Sequence, residues 1–135
     1  MTVLVGTRGE AVRIQGVHGG HGELLWKCFA RLHMTHAPIA GFEYVEVPVG
    51  TAIGRHKHSR TEEIYFILSG HGMIDQDGVT SEVGPGDLIL TRRGVTHAMD
   101  VLGDEPVSLL VIEAYPPDVL ERLPAHSPEA EGGTS

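Results

Sequence analysis

Two histidines, His56 and His58, stand one residue apart, and two adjacent carboxylates, Glu62 and Glu63, follow them just before an apolar run. Residues two apart in a β-strand point to the same side. The two imidazoles would therefore share a face, and a short turn over 59–61 would bring Glu63 opposite them. By the same alternation Glu62 faces the other way and is expected to lie in solvent.

A third histidine, His97, follows a glycine-containing turn and begins another run with strand character. Three neutral imidazoles and one carboxylate form a strong site for a divalent first-row transition metal. The plainer alternative is that a His-x-His pair is only the polar edge of a strand. The nearby carboxylate and the glycines that frame the stretch favour the metal site.

The elements that must position these residues read as short β-strands. Apolar and β-branched runs are separated by glycine and proline, which is typical of a sandwich or barrel. The predicted strand runs are LLWKCFARLHM, FEYVEVPV, EIYFILS, GMIDQD, VTSEV, DLILT, HAMDVL and VSLLVIEAY. Asp77-Gly78 is a strong signal for a two-residue hairpin. The sequence therefore predicts an all-β fold.

Three segments follow from this pattern: a lead-in strand arm over 1–22, a barrel over 23–115 and a C-terminal extension over 116–135. A short helix is expected over 117–123, and the Pro-, Gly- and Glu-rich end, 124–135, is expected to be disordered. The formal charge of -8 argues against nucleic acid as a partner. Without an apolar run of membrane length or a secretory signal, we expect a cytoplasmic protein that does not enter the membrane.

The spacing of the polar stretch resembles the first motif of the cupin superfamily, G-x5-H-x-H-x4-E-x6-G. Gly50, His56, His58, Glu63 and Gly70 occupy its fixed positions. This spacing selects Glu63, rather than Glu62, as the carboxylate ligand.

The second cupin motif, G-x5-P-x-G-x2-H-x3-N, is partly present in Gly86, Gly94 and His97. Arg92 stands at the proline position and Val101 at the asparagine position. Neither of these positions is a metal ligand in the family, so the departures concern the local shape of the loop.

The resemblance implies a small single-domain jelly-roll β-barrel with one divalent ion, of iron, manganese, nickel or zinc, held by His56, His58, Glu63 and His97. Four protein ligands on a six-coordinate ion leave two positions for a small, anionic or enolisable substrate. Three functions fit: an oxygen-using enzyme of dioxygenase type, which we favour; a non-redox isomerase, cyclase or lyase; and a metal-containing binding protein without turnover. The fold alone does not choose among them.

Several other residues are candidates for the pocket. Tyr65 shares the face of Glu63 and is either an acid/base group or a wall aromatic. The other candidate wall residues are Met99 and Val101, which share the face of His97, and Phe42, Tyr44 and Met73. The segment from His18 to His21 could cover the mouth as a lid.

The same resemblance implies a homodimer, since single-domain cupins commonly pair. The lead-in carries β-branched residues that could add to the edge of a neighbouring sheet. Trp26 and Phe29 offer a second apolar contact. We therefore expect an interface that uses residues before about Arg31 and leaves the acidic tail free.

Overall fold

The computed structural model describes residue 9 and residues 11–32 and 34–123, and strands form most of this part of the chain. The strands are β1 (Val12–Gln15), β2 (Glu23–Arg31), β3 (Ile39–Val47), β4 (Ala52–Lys57), β5 (Glu62–Ser69), β6 (His71–Gln76), β7 (Val79–Val83), β8 (Leu88–Thr91), β9 (Thr96–Leu102) and β10 (Val107–Ala114). A 3-10 turn, Val17–Gly19, joins β1 to β2, and a short helix, α1 (Pro117–Leu120), follows β10.

The strands form two sheets that enclose one core. The larger sheet has the order β1-β2-β3-β10-β5-β8 and the smaller one the order β4-β9-β6-β7. Buried side chains of both sheets, such as Ile67 and Leu109 from the first and Ile74 and Met99 from the second, belong to one apolar cluster. The prediction of an all-β jelly-roll barrel is confirmed.

The hairpin predicted at Asp77-Gly78 joins β6 to β7. Both turn residues have positive φ, 51° for Asp77 and 86° for Gly78. Such a pair matches the right-handed twist of the flanking strands. Gln76 and Val79 therefore face each other directly across the turn.

The ends of the chain differ in two ways from the sequence expectation. Within the described part of the lead-in, residues 12–15 form β1, which pairs with β2 of its own chain, with Val12 opposite Trp26. The predicted helix over 117–123 is shorter and ends at Leu120. The tail 124–135, predicted to be disordered, lies outside the described residues. Within the described part, no helix has the length and apolar character needed to cross a membrane.

The outer face of the larger sheet is apolar near its β8 edge. Phe66 and Leu88 face each other across β5 and β8, as do Ile64 and Leu90. Leu88 is 60% exposed, and Phe66 and Leu90 are also exposed. Because apolar residues occupy both faces of these strands, the outer face resembles a surface that another protein covers.

Candidate metal centre

The two sheets bring the four predicted ligands together from opposite sides of the barrel. His56 on β4 lies directly opposite His97 on the neighbouring strand β9. His58 follows the end of β4, where its backbone N–H donates to the carbonyl of Val95. Glu63 comes from β5 of the other sheet. The barrel therefore closes three imidazoles and one carboxylate around a common point.

A bulge in β4 sets the direction of the histidines. The register of the pairing between β4 and β9 shifts between Ile53 and His56. As a result, the side chains of Ile53 and His56 both point into the barrel. Gly54 lies within this bulge, and a Cβ there would overlap the backbone of His18 and Gly20. The absence of a side chain lets the 3-10 turn lie directly against the strand that carries the ligands.

The donor atoms of the four residues are closely spaced. The three histidine Nε2 atoms lie 3.1 Å (His56–His58), 3.0 Å (His58–His97) and 3.0 Å (His97–His56) apart. Oε1 of Glu63 lies 3.2 Å from Nε2 of His58 and 3.1 Å from that of His97. All four donor atoms lie within 4.8 Å of one another. His58, Glu63 and His97 are buried, and His56 is partly exposed.

These separations fit a divalent ion at the centre. Ligands at about 90° around an ion with bonds of about 2.1 Å are about 3.0 Å apart, whereas tetrahedral ligands would be about 3.4 Å apart. Oε1 of Glu63 is buried and accepts no hydrogen bond, a costly state that a cation relieves. The donor set suits a six-coordinate transition metal with two further positions.

Hydrogen bonds to the outer ring nitrogens orient the imidazoles. Nδ1 of His56 lies 2.8 Å from the carbonyl oxygen of Gly54. A carbonyl only accepts, so this nitrogen donates and Nε2 keeps its lone pair. Nδ1 of His58 and of His97 lie 3.1 Å and 2.9 Å from the hydroxyls of Thr61 and Thr91. Such outer contacts fix the ring orientation of metal-binding histidines.

The electrostatics favour the metal-binding protonation states. Burial lowers the pKa of His56 to about 4, which leaves this imidazole neutral at pH 7. Burial alone raises the pKa of Glu63, but contacts with His58, His97 and Glu113 outweigh it and hold the pKa well below its usual range. Neutral imidazole and ionised carboxylate are the forms that bind metal.

Two neighbours contact Glu63 from the larger sheet. Glu113 on β10 lies directly opposite it in the strand register. Burial, followed by the hydrogen bond to Glu63, raises the pKa of Glu113 to about 9, so that its carboxyl donates to the ionised Glu63. Tyr65 is buried and hydrogen-bonded to Glu63, and burial raises its pKa well above the usual value. The phenol is thus a neutral donor beside the ligand.

A cavity of about 460 Å³ reaches the centre at Glu63. Its walls come from β1, the 3-10 turn and the inner face of the larger sheet, with Ile53 from β4. The lining residues are Ile14, Gln15, Gly16, Val17, His18, Leu24, Trp26, Glu43, Val45, Ile53, Glu63, Tyr65, Val111 and Glu113. Of the pocket residues predicted from the sequence, Tyr65 alone is among them.

Phe42, Tyr44 and Met73, which the sequence suggested as wall residues, do not line this cavity. Strand alternation places Glu43 and Val45 on the inner face of β3, so Phe42 and Tyr44 point to the outer face. On β6 the inward residue is Ile74, which is 2% exposed, and Met73 points the other way.

Met99 and Val101 share the inward face of His97 but do not reach this cavity. Met99 is 1% exposed inside the apolar core, opposite Ile53 and Ile74. Val101 packs against the same core. Both residues therefore support the strand that carries His97 rather than contacting a ligand.

His18 lies over the metal centre, whereas His21 is exposed. The rings of His18 and His56 stack with centroids 3.6 Å apart and planes 14° apart. His18 adopts a left-handed conformation, with φ of 54°, which is uncommon for a residue other than glycine. Of the segment that the sequence suggested as a lid, the ring of His18 packs on His56, one of the predicted metal-binding residues.

Metal binding is expected to survive mild acidification and fail at lower pH. Because burial lowers the pKa of His56 to about 4, this imidazole stays neutral during mild acidification, and protons compete with the metal for it only as the pH falls to about 4 and below. Dialysis at a series of pH values, followed by elemental analysis, measures the retained ion. Full retention well below pH 4 would contradict imidazole ligation.

Comparison with known proteins agrees with the fold and the site. The protein-family model described as a cupin domain matches residues 43–113 of this chain. These residues are more than half of the chain and include all four predicted ligands. The chain belongs to the cupin family.

Two proteins that are similar to this chain come from Thermotoga maritima. A curated protein named "Oxalate-binding protein" is 29% identical over 100 residues, which cover 74% of this chain and 83% of the relative. A crystal structure described as a predicted oxalate decarboxylase superposes with a TM-score of 0.80 at 27% identity, covering 84% of this chain and 100% of that one.

A third similarity concerns the fold alone. The cupin 2 conserved barrel domain protein from Salinispora arenicola has a TM-score of 0.67 at 18% identity, with 90% of this chain and 94% of that one covered.

Proposed function

We propose that this protein is a metal-dependent enzyme that binds a small organic substrate through paired oxygen atoms. The observation that carries the proposal is the set of four converging donor atoms, which all lie within 4.8 Å of one another and adjoin a cavity of about 460 Å³. A six-coordinate ion held by this set keeps two positions free. When bound, the ion supplies a Lewis acid that polarises substrate oxygens.

The residues around the centre suit an anionic or enolisable head group. One carboxylate leaves a divalent ion with net positive charge, which attracts a carboxylate or an enolate. Tyr65 and Glu113 donate hydrogen bonds to Glu63. These contacts orient Glu63 and moderate its charge.

Our first candidate reaction is oxygen-dependent cleavage or oxidation of the substrate, as in a dioxygenase. The two free positions support this candidate, because substrate and dioxygen could both approach the ion. Iron is the metal that this chemistry would use.

A non-redox lyase or isomerase is the second candidate, and the relatives favour it. The similar Thermotoga maritima structure is described as a predicted oxalate decarboxylase, a name that implies carbon–carbon cleavage of a chelating dicarboxylate. The similar protein named for oxalate binding favours a third candidate, metal-dependent binding without turnover.

One experiment separates the three candidates. The natively purified protein is analysed for metals and then loaded with iron, manganese or zinc. Each form is incubated with oxalate, 2-oxo acids and 1,3-diketones while dioxygen uptake, carbon dioxide release and substrate loss are followed. Substrate-dependent dioxygen uptake supports the first candidate. Turnover without dioxygen supports the second, and binding without turnover supports the third.

We also propose a homodimer, but with a different contact surface from the one suggested by the sequence. Trp26 lines the cavity, and β1 pairs within its own chain. The exposed apolar side chains of the described residues include Val12 on β1 and Val79 on β7, but four of the eight lie together on the neighbouring strands β5 and β8: Phe66, Leu68, Leu88 and Leu90. The same face on two copies can pack under two-fold symmetry, the commonest arrangement in oligomers.

Sedimentation velocity tests this assembly. Leu88→Lys should convert dimers to monomers, because it places a charge in an apolar contact. Val79→Lys, at a residue that is 69% exposed on β7 of the other sheet, should leave the dimer intact. Removal of 124–135 should also have no effect. A monomeric full-length chain would refute the assembly.

A further inference from the structure

Three carboxyl groups line the cavity, and only one of them belongs to the metal centre. Glu63 on β5 lies opposite Glu113 on β10. Glu43, on the next strand β3, lies opposite Val111, which is two residues before Glu113. Neighbouring strands are about 4.8 Å apart. The carboxyl groups therefore form a diagonal row that leads from the metal centre across three strands.

Glu43 is held at the end of this row by a fixed partner. The indole N–H of Trp26 on β2 donates a hydrogen bond to the Glu43 carboxyl group. The indole can only donate, so it holds the carboxyl group of Glu43, whose side chain lines the cavity. Trp26 also supplies an aromatic wall beside the carboxyl group.

The described walls of the cavity offer Glu43 no cationic side chain of lysine or arginine. Burial raises the pKa of Glu43, and the hydrogen bond from Trp26 offsets this only in part. Glu43 is partly buried, and a carboxyl group withdrawn from water without a charged partner is costly. A hydrogen-bond donor on the ligand would remove that cost, whereas a second carboxylate on the ligand would increase it.

The size of the cavity and the side chains between its two ends indicate the chemical character of the middle part of the ligand. A volume of about 460 Å³ lies within the range of about 300–1,000 Å³ that is typical of small-molecule pockets and exceeds what a two-carbon dicarboxylate needs. Between the two ends, beside Glu113, lies the apolar side chain of Val111, which is opposite both Glu43 and Tyr65 in the strand register. The space between the metal centre and Glu43 thus suits a short carbon chain.

We infer that the substrate has a chelating oxygen pair at one end, an apolar chain in the middle and a hydroxyl or ammonium group at the other end. Glu43, positioned by Trp26, is the residue that selects this far end. The inference rests on the proposed metal-dependent function and narrows its substrate class. It distinguishes this cavity from one built for oxalate alone, where no far end would need to be recognised.

The test uses cobalt(II)-loaded protein and four hydroxamates of equal chain length that end in methyl, hydroxyl, ammonium or carboxylate. A hydroxamate chelates through two oxygens, and its binding changes the visible spectrum of cobalt. We expect the hydroxyl and ammonium compounds to bind at least about tenfold more tightly than the carboxylate compound. This difference in affinity corresponds to one hydrogen bond to a charged group. Oxalate serves as the short reference ligand.

Variants assign the selectivity to Glu43. In Glu43→Gln the preference for the ammonium end should fall about tenfold, while metal content and affinity for the methyl compound stay unchanged. Trp26→Phe, which replaces the indole by a phenyl ring and so removes the N–H donor, should weaken the preference in the same direction. Glu62→Gln, at an exposed residue, is the control and should behave as the unaltered protein.

The outcomes separate this inference from the proposed function. Equal binding of all four hydroxamates, or tightest binding of the carboxylate compound, would overturn the inference and leave the metal-dependent function standing. A preference that survives in Glu43→Gln would overturn the role of Glu43. If neither oxalate nor any hydroxamate changes the cobalt spectrum, the proposed function itself fails.

Discussion

His58→Ala is expected to lower metal affinity by about a hundredfold or more, since changes outside the ligand shell already cost about ten- to hundredfold. Nε2 of His58 lies 3.0–3.2 Å from the donor atoms of His56, His97 and Glu63. The residue is thus adjacent to every other predicted ligand. Elemental analysis of protein purified in parallel with the unaltered chain measures the loss.

Glu62→Ala is the matched control for this prediction. Glu62 is exposed, whereas its neighbour Glu63 is 4% exposed and faces the histidines. The control should therefore keep its metal. Equal loss of metal in both variants would show that the carboxylate or the whole site has been assigned incorrectly.

The sequence was sufficient to predict the strands and the converging side chains. The run VTSEV coincides with β7, and most of the other runs overlap a strand closely. His56, His58 and Glu63 were placed together because motif spacing and strand alternation agree. Local patterns of this kind depend on residues near one another in the chain, and they carry over into the fold.

Side-chain direction on β3 was harder to predict, because each face of the strand combines apolar or aromatic residues with one glutamate. Phe42 and Tyr44 point outward, and Glu43 and Val45 point inward. The outer face of the larger sheet carries apolar residues of its own, so hydrophobicity did not distinguish inside from outside. Val47 lies on the same face as Glu43 because the two residues are four apart in the strand. Its exposure of 0% shows that this face points into the core.

Glu113 was missed for a related reason. It continues the inward series of Leu109 and Val111 on β10, both of which are buried. A carboxylate in that series conflicts with the expectation that an inward position is apolar. Only its partner across the strands, Glu63, explains it, and strand neighbours that are far apart in sequence cannot be read from local spacing.

The stacking of His18 on His56 depends on two features distant in sequence. One is the left-handed conformation of His18 in the turn after β1, and the other is the space left by Gly54 on β4. Neither feature alone specifies the contact. The sequence therefore suggested a covering segment over His18 to His21 without indicating which ring packs on the site.

Removal of the metal is expected to lower the melting temperature by about ten degrees or more. A ligand present at about a thousand times its dissociation constant stabilises the folded state by about 4 kcal/mol, and a domain of this size shifts by about 3 °C per kcal/mol. The three imidazole nitrogens lie 3.0–3.1 Å apart and Oε1 of Glu63 is buried without a hydrogen bond, so removal of the ion would leave these groups without their shared partner.

Thermal unfolding followed by circular dichroism, with chelator and after return of the metal, measures this shift. The metal-free protein should melt earlier and recover when the ion is restored. His58→Ala is the control, and its melting temperature should respond little to chelator because it binds little metal. If the unaltered protein binds an ion but melts at the same temperature with and without it, these four residues do not form the site that holds the ion.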